Sequence, residues 1–274
     1  MRVDEYTFHL DESPVYYLSA EVPGVPKLYL HGIPTSSDDW VDFLARTGGL
    51  APDLIGFGRS GKGGHLDYSL GGLTGFVEEF VAHLSLDEVE IVGHDWGAAV
   101  ALCFAGRHPD RVRRLVLLNA PPLLPGFEWP RVMRLWRTRG IGELVMGATT
   151  KRLLARTVRR GSVRPDAWPN ARVEAVWSQF DQGTQRAILR LVRSGWDDMS
   201  GGTGPREVVG GDGVGGPSTT LICGEEDPWY PPALADAYAA RLPGATVERI
   251  AGAGHWPWLD RPEVVDRVAS LLEG

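Results

Sequence analysis

The segment Gly93-His94-Asp95-Trp96-Gly97 follows the apolar run Val89-Glu90-Ile91-Val92 and precedes the apolar run Ala98-Ala99-Val100-Ala101-Leu102. This pattern predicts a strand, a sharp turn and a helix, an arrangement that lifts the middle residue of the turn clear of the backbone as a nucleophile. That residue is Asp95, where a serine is expected. A carboxylate displaces a halide or opens a strained ring at saturated carbon, and it leaves an ester that water must then cleave. Asp95 therefore narrows the predicted reaction more than any other residue.

Length and composition limit the class of protein. At 274 residues with 43% hydrophobic residues, the chain suits one large α/β domain, or one domain with an insertion. The formal net charge of -7 argues against nucleic acid and anionic membrane as partners, because both select basic surfaces. No stretch approaches the roughly 20 apolar residues of a membrane span, and no apolar signal core follows the first residues. We expect a cytoplasmic protein.

The sequence also bears on cofactors. The two cysteines, Cys103 and Cys223, lie in apolar runs and are predicted to be buried free thiols. No Cys or His cluster has metal-ligand spacing, and no glycine-rich phosphate loop follows a predicted strand. We expect no metal and no cofactor, and the predicted partners are a small apolar or mixed-polarity organic substrate and water.

Short apolar runs alternate with helical patterns, which is typical of a mostly parallel sheet with helices on both faces. The eight predicted strands are Tyr6–His9, Val15–Ser19, Lys27–Leu30, Leu50–Asp53, Val89–Gly93, Val112–Leu118, Thr219–Cys223 and Ala245–Ile250. The predicted helices of this part are Ser37–Arg46, Leu70–Leu84, Trp96–His108, Pro232–Leu242 and Pro262–Leu272.

The interval between Leu118 and Thr219 breaks the alternation. Its segments have helical spacing with no strand between them, at Val132–Trp136, Ile141–Leu154, Ala171–Phe180 and Thr184–Val192. We therefore predict a core domain of residues 1–120 and 217–274 and a helical cap inserted at residues 121–216. The glycine-rich segment 201–216 is predicted to be a flexible return from the cap to the core.

Two further polar residues follow predicted strands. Asp227 comes after the strand that ends at Cys223, and His255 comes after the last strand. The order nucleophile, acid, histidine is the one that a strand-turn-helix nucleophile requires. Asp227 would hold the His255 imidazole in the correct tautomer while His255 takes a proton from water. Glu225 or Glu226 could replace Asp227, which we prefer for its spacing beyond the strand.

Backbone donors are predicted beside the nucleophile. The segment His31-Gly32-Ile33-Pro34-Thr35 follows the third strand, and the N–H groups of Ile33 and Trp96 would form an oxyanion hole for the tetrahedral species. His31 is then a packing and hydrogen-bonding support. The turn-rich loop from Asp53 to Gly61 is interpreted as scaffold.

Three motifs together carry a family resemblance. Gly-His-Asp-Trp-Gly at 93–97, His-Gly-x-Pro-Thr-Ser-Ser at 31–37 and Asp-Leu-Ile-Gly-Phe-Gly-Arg-Ser at 53–60 resemble the haloalkane dehalogenase and epoxide hydrolase branch of the α/β-hydrolase superfamily. The resemblance implies an α/β-hydrolase fold with an eight-stranded, mostly parallel sheet and an inserted cap. It also implies that Asp95 is the nucleophile, His255 the water-activating base and Asp227 its orienting acid, and that the Trp96 indole donates to a departing halide.

The choice within that branch depends on donors in the cap. Epoxide hydrolases of this kind place tyrosines there, yet residues 121–216 contain no Tyr and five tryptophans. An indole N–H donates without readily losing its proton, which suits a halide better than an alkoxide. This favours carbon-halogen cleavage, with Trp136 as the cap donor, although large aromatics also simply pack a cap on its base. One dehalogenase subgroup has an Asn at the position of Ile33, and this Asn donates to the halide. This chain has Ile33 there and so lacks that halide donor.

Other functions stay open at this point. Epoxide hydrolysis to a vicinal diol is the first alternative. The second is a non-catalytic ligand-binding protein, or a biosynthetic protein of this fold, although three ionisable residues in catalytic order count against a pure binder. An esterase is disfavoured because Asp95 would form an anhydride with an ester. The sequence leaves the natural substrate and the oligomeric state undecided.

Overall fold

A central sheet of eight strands organises the chain. The computed structural model describes residues 1–21, 24–121, 129–201, 216–242 and 244–273. The strands are β1 Asp4–Leu10, β2 Ser13–Ala20, β3 Lys27–Leu30, β4 Gly49–Pro52, β5 Val89–His94, β6 Val112–Leu118, β7 Ser218–Gly224 and β8 Thr246–Ile250. Each corresponds to a predicted strand, and the predicted eight-stranded sheet is confirmed.

The sheet order brings the predicted site residues to one edge. The strands lie in the order β1-β2-β4-β3-β5-β6-β7-β8. Strand β2 runs antiparallel to β1 and β4, whereas β4, β3, β5, β6, β7 and β8 run parallel to one another. Ligands of open parallel sheets bind outside the carboxyl ends of the strands. The loops after β3, β5, β7 and β8 all open at that edge.

Helices cover both faces of the sheet. They are α1 Val41–Thr47, α2 Leu70–His83, α3 Trp96–Arg107, α4 Arg131–Arg137, α5 Ile141–Gly147, α6 Lys151–Arg160, α7 Asn170–Gln179, α8 Gln182–Gly201, α9 Ala233–Ala239, α10 Pro257–Asp260 and α11 Glu263–Glu273. A 3-10 turn at Ser37–Trp40 precedes α1, so the predicted helix Ser37–Arg46 starts with a tighter first turn. Among the described helices, none has the length and apolar character to cross a bilayer, and the cytoplasmic location stays a prediction.

Alternate side chains of the strands enter two separate cores, because successive strand residues point to opposite faces. Leu28, Leu30 and Ile91 pack with α2 and α3 on one face. Tyr29 and Val92 pack on the other face, beside α1 and α11. Because both faces are covered, residues on either face of the central strands β3 and β5 are buried.

The described part of residues 121–216 forms helices α4 to α8. The prediction of one continuous helical segment at Ile141–Leu154 is wrong, since the chain there forms two helices, α5 and α6. The break has a local cause: the Thr150 side chain accepts a hydrogen bond from the Leu153 backbone N–H (3.3 Å) and so begins a new helix. The predicted flexible return at 201–216 lies, except for its first and last residues, outside the described residues, and the division into core and cap stays a prediction.

The carboxylate of Asp39 provides a test of the packing between core and cap. Asp39 lies in the turn Ser37–Trp40, its Oδ2 is buried without a hydrogen-bond partner, and Arg172 Nη1 of α7 lies 3.8 Å from Oδ1. Burial raises the pKa of Asp39 from 3.8 to about 6. Because the pKa of Asp39 is higher in the folded than in the unfolded protein, the folded state is favoured while the carboxyl is protonated. This contribution to the free energy of unfolding is complete below the unfolded pKa and is lost as the pH rises through about 6.

We therefore expect Asp39→Asn, which is always neutral, to raise the free energy of unfolding more at pH 8 than at pH 4, by roughly 2 kcal/mol. Urea unfolding at both pH values, followed by tryptophan fluorescence, measures the difference. An equal effect at the two pH values would show that Asp39 is not ionised at a cost in the folded protein.

Candidate active site

Asp95 occupies the sharp turn between β5 and α3. Its backbone has φ 48° and ψ -127°, in a region that costs a non-glycine residue about 1–3 kcal/mol. The turn also needs glycine on either side of Asp95. A Cβ on Gly97 would lie 2.2 Å from the Leu30 carbonyl oxygen, and one on Gly93 would lie 2.6 Å from Ala98 Cα. The Gly-x-x-x-Gly spacing thus packs the turn against β3 and fixes the direction of Asp95.

The two carboxylate oxygens of Asp95 have different environments. Oδ2 accepts a hydrogen bond from the Ile33 backbone N–H at 3.0 Å, and the Trp96 backbone N–H and the Tyr230 hydroxyl lie close enough to the carboxylate to lower its pKa. Oδ1 is buried without a hydrogen-bond partner and lies 4.0 Å from His255 Nε2. Oδ2 is therefore held by a backbone donor, while Oδ1 is free to react.

His255 is oriented by Asp227. The imidazole Nδ1 lies 2.8 Å from Asp227 Oδ2, so Nδ1 donates and Nε2 faces Asp95 as an acceptor. The other oxygen of Asp227, Oδ1, accepts the backbone N–H groups of Trp229 (2.8 Å) and Tyr230 (3.1 Å).

The two alternative acids lie elsewhere. Glu226 accepts hydrogen bonds from the backbone of Gly252 and Ala253, and Glu225 is exposed. Of the three acidic residues in this loop, the structure brings Asp227 to the imidazole.

Burial and charge set the protonation of the three groups. Burial raises the pKa of Asp95 above its usual value, although His255 and the backbone donors oppose the rise. Burial alone would raise the pKa of Asp227, but the His255 imidazole and the Asn119 amide outweigh it and lower that pKa. Burial lowers the pKa of His255, but the carboxylates of Asp227 and Asp95 more than compensate and raise it. The site thus keeps Asp227 ionised and makes His255 a stronger base.

A cavity of about 370 Å³ opens above these residues. Asp95 and His255 border it together with mainly apolar side chains from the cap, which are Val132, Met133, Trp136, Val145, Met146, Leu153, Leu154, Val158, Phe180 and Ile188. An apolar pocket with a few convergent polar groups is the usual form of a small-molecule site.

The predicted tryptophan donors are placed differently from one another. Trp136 borders the cavity. The Trp96 ring is fully buried and stacks on Trp129 at 5.9 Å, and Trp96 is not among the described residues that line the cavity. Trp168 packs on Trp256 at 4.8 Å, and its Nε1 donates to Ser162 Oγ.

Of the two remaining tryptophans in residues 121–216, the structure describes the side chain of Trp177. The Trp177 ring stacks on Phe180 at 5.9 Å. The side chain of Trp196 lies outside the described residues. Trp136 is thus the predicted cap donor that borders the cavity.

Two side chains in the site were missed from the sequence. Asn119 follows β6 with φ 41° and donates its amide N–H to Asp227 Oδ2 at 2.6 Å. Tyr230 borders the cavity, and its buried hydroxyl lies beside the Asp95 carboxylate and interacts with it. Burial and the negative charges of Asp95 and Asp227 raise the pKa of Tyr230 well above its usual value. The available signals were a polar residue after an apolar strand and a Tyr three residues beyond Asp227.

The neighbouring histidines support the backbone of the site. His94 Nε2 lies 2.8 Å from the His255 backbone oxygen. His31 Nε2 accepts the Leu54 N–H at 3.0 Å, and its Nδ1 lies 2.8 Å from Gly32 O, so the imidazole bridges two site loops. In the loop after β4, buried Asp53 accepts hydrogen bonds from the backbone of Ser37 and from Arg59. These contacts agree with the interpretation of His31 and of this loop as scaffold.

The chain is similar in sequence to known proteins. The alpha/beta hydrolase fold family model matches residues 28–262. The chain is 33% identical over 189 residues to a haloalkane dehalogenase of Mycolicibacterium paratuberculosis, an alignment that covers 64% of this chain and 59% of that protein. It is 36% identical over 120 residues to a soluble epoxide hydrolase of Corynebacterium sp., covering 39% of this chain and 38% of that protein.

A solved structure shows the likeness of fold over the whole chain. The crystal structure of the haloalkane dehalogenase DbeA from Bradyrhizobium elkani matches with a TM-score of 0.85 at 23% identity, over 100% of this chain and 98% of that one. In sequence, the chain spans about half the length of the curated relatives it matches. The family model covers most of the chain, the eight strands have the expected order, and we conclude that the chain belongs to the alpha/beta hydrolase fold family.

Proposed function

We propose that the protein is a hydrolase that acts at saturated carbon through an ester on Asp95, with a carbon-halogen bond as the preferred target. The observation that carries this proposal is the asymmetry of the Asp95 carboxylate. Its Oδ2 accepts the Ile33 N–H at 3.0 Å, whereas its Oδ1 is buried, unpartnered and adjacent to His255 below an apolar cavity.

In the first step, Oδ1 of Asp95 attacks the substrate carbon. The new C–O bond forms as the carbon-halogen bond breaks, and the halide leaves with the bonding electron pair. Oδ2, which the backbone already holds, becomes the carbonyl oxygen of the ester. The apolar cavity strengthens the attack because it removes the water that would otherwise solvate the carboxylate.

In the second step, water cleaves the ester. His255 Nε2 takes a proton from water as the water oxygen attacks the Asp95 carbonyl carbon, and Asp227 stabilises the imidazolium that forms. The negative charge develops on Oδ2, where the N–H groups of Ile33 and Trp96 stabilise it. Collapse of this species releases the alcohol, which receives the proton from His255, and leaves Asp95 as a carboxylic acid. Loss of the remaining water-derived proton to solvent restores the carboxylate.

A halide as leaving group is supported by the position of Trp136 and by the relatives. Trp136 borders the cavity, where an indole N–H can donate to a halide but is a poor proton source. Several of the curated relatives are haloalkane dehalogenases, and one is a soluble epoxide hydrolase. The substrate would be a small organic molecule, with water as the second reactant.

Tyr230 supports epoxide hydrolysis as a second candidate. Opening an epoxide leaves an alkoxide, which needs a proton donor within reach. The buried hydroxyl of Tyr230 lies beside Asp95 and has no other partner. This donor comes from the loop after β7, whereas the sequence argument considered cap residues alone.

Paired substrates and one variant test the two chemistries. We expect the wild-type protein to release bromide from a bromoalkane, and Tyr230→Phe to change that rate by no more than about threefold, since a halide needs no proton. Diol formation from a styrene oxide type epoxide, by contrast, should fall by about 10²–10⁴ in Tyr230→Phe if Tyr230 is the acid. Bromide electrode and diol chromatography readings on both proteins measure the outcome.

The possible outcomes are distinct. Diol without bromide from the wild-type protein contradicts the preference for halides. Neither product, from a folded protein, contradicts hydrolysis at saturated carbon and favours the ligand-binding or biosynthetic alternative.

A further inference from the structure

Cap helix α6 carries five cationic side chains within ten residues. They are Lys151, Arg152, Arg156, Arg159 and Arg160. The chain as a whole has a net charge of -7, so this helix is a local reversal of the overall charge. Such a concentration of like charge needs a reason, because like charges one helical turn apart destabilise a helix.

Two of the five cations have partners within the cap. Lys151 forms an ion pair with Glu174. Arg159 donates through Nε to the Trp168 backbone oxygen at 3.2 Å and through Nη2 to Asn170 Oδ1 at 2.8 Å. These contacts join α6 to the segment that leads into α7, and they give Lys151 and Arg159 structural roles.

Arg156 and Arg160 differ from those two. They lie one turn apart, are exposed, and form no ion pair among the described residues. The dipole of the helix favours a cation in its last turn, which accounts for Arg160 in part but not for Arg156. Both residues border the cavity above Asp95, and both also border an outer groove of the cap.

The other residues that line the cavity indicate what Arg156 and Arg160 could bind. Among the described residues that border the cavity, Asp95 is the only carboxylate, and it lies at the reactive end. The rest of the lining is mostly apolar, with Leu154, Val158 and Phe180 among its members. The cavity therefore has a reactive carboxylate at one place, an apolar wall, and two unpaired cations.

We propose that the natural substrate is an anionic amphiphile whose carboxylate is held by Arg156 and Arg160 while its halogenated or epoxide-bearing carbon lies at Asp95. This inference rests on the proposed function, because it names the substrate class of the same site. An apolar chain between the two ends would fill the lined part of the cavity. Guanidinium groups bind carboxylates through paired N–H donors, and Arg is better suited to this than Lys.

A matched substrate pair tests the proposal. The probes are an ω-bromoalkanoate and the ω-bromoalkanamide of the same chain length, with the corresponding ω-epoxy pair in parallel. The two members of a pair differ in charge but hardly in shape. We expect wild-type kcat/KM to favour the carboxylate, and the ratio of carboxylate to carboxamide to fall about five- to tenfold in Arg156→Gln/Arg160→Gln.

Arg152→Gln is the matched control. Arg152 lies on the same helix and is exposed, but it borders an outer groove of the cap and not the cavity above Asp95. This variant removes the same charge and should keep the ratio within about twofold. A fall of equal size in Arg152→Gln would mean that the overall charge of the helix matters, and it would overturn the assignment to Arg156 and Arg160.

A binding measurement separates this inference from the proposed reaction. Calorimetry compares octanoate with octanamide, which carry no reactive carbon, on the wild-type protein and on Arg156→Gln/Arg160→Gln. Tighter binding of octanoate that is lost in the double variant supports the inference even if no bromide or diol is formed. Equal turnover of both members of each pair, unchanged in the double variant, overturns the inference and leaves the proposed reaction intact.

Discussion

Replacing Asp95 by asparagine is expected to abolish turnover of both bromoalkanes and epoxides, with a loss of roughly 10⁴-fold or more, as for other nucleophile replacements. The reason is chemical, since a neutral amide has no oxygen able to form an ester at saturated carbon. The measurement is bromide and diol release under conditions where the wild-type protein is active.

The geometry explains why this variant should remain folded. The amide oxygen can take the place of Oδ2 and accept the Ile33 N–H, while the amide nitrogen occupies the position of Oδ1, 4.0 Å from His255 Nε2. Burial raises the pKa of Asp95, so the ionised group is costly in the folded protein, and Asn removes that cost. A melting temperature at or above that of the wild type is therefore expected.

Activity and melting temperature, measured together on Asp95→Asn, separate the loss of the nucleophile from a loss of folded protein. A stable Asp95→Asn protein that retains a tenth or more of the wild-type rate would contradict the ester mechanism. A second carboxylate, or water activated directly by His255, would then have to perform the reaction.

The fold was largely predictable because it depends on local patterns. Most strands contain a short apolar run, and the central parallel strands bury apolar side chains on both faces. The break between α5 and α6 was not predicted, since a Thr at position 150 is compatible both with the interior of a helix and with a helix N-cap. Whether a new helix begins at this point depends on the hydrogen bond from the Leu153 N–H to the Thr150 side chain. The periodicity of apolar residues carries no information about that bond.

The site was predictable to the extent that chain order determines it. Asp95, Asp227 and His255 follow parallel strands, whose carboxyl ends meet at one edge of the sheet, and the structure brings them together. The choice of Asp227 over Glu225 rested on spacing alone.

Tyr230 and the pair Arg156 and Arg160 could not be placed from the sequence. Tyr230 faces Asp95 because the Asp227 carboxylate accepts its backbone N–H and so shapes the loop. Arg156 and Arg160 border the cavity because of how the cap packs on the core. The first depends on a hydrogen bond within the loop that residue spacing does not specify. The second depends on contacts between segments far apart in the chain, which a single sequence does not reveal.

Replacing His255 by glutamine is expected to stop the reaction after its first half and to trap the ester on Asp95. Attack by Oδ1 does not require the imidazole, whereas cleavage of the ester requires Nε2 to take a proton from water. Glutamine is preferred to phenylalanine as the test, because its amide N–H can still donate to Asp227, whose buried carboxylate would otherwise lose its 2.8 Å partner. His255→Phe keeps an aromatic ring beside Trp229 and Trp256 but leaves that charge unpaired.

Intact-protein mass spectrometry and halide release together distinguish the two chemistries in this variant. A bromoalkane should give a single burst of one bromide per chain, and the protein should gain the mass of the alkyl group less one hydrogen. An epoxide should add its whole mass without any leaving group, because the ring oxygen stays on the carbon chain. Peptide mapping should locate the adduct at Asp95, and Asp95→Asn/His255→Gln should show none. Continued turnover in His255→Gln would mean that water reaches the ester carbonyl with another base, and the pairing of His255 with Asp227 would then have no part in the hydrolytic step.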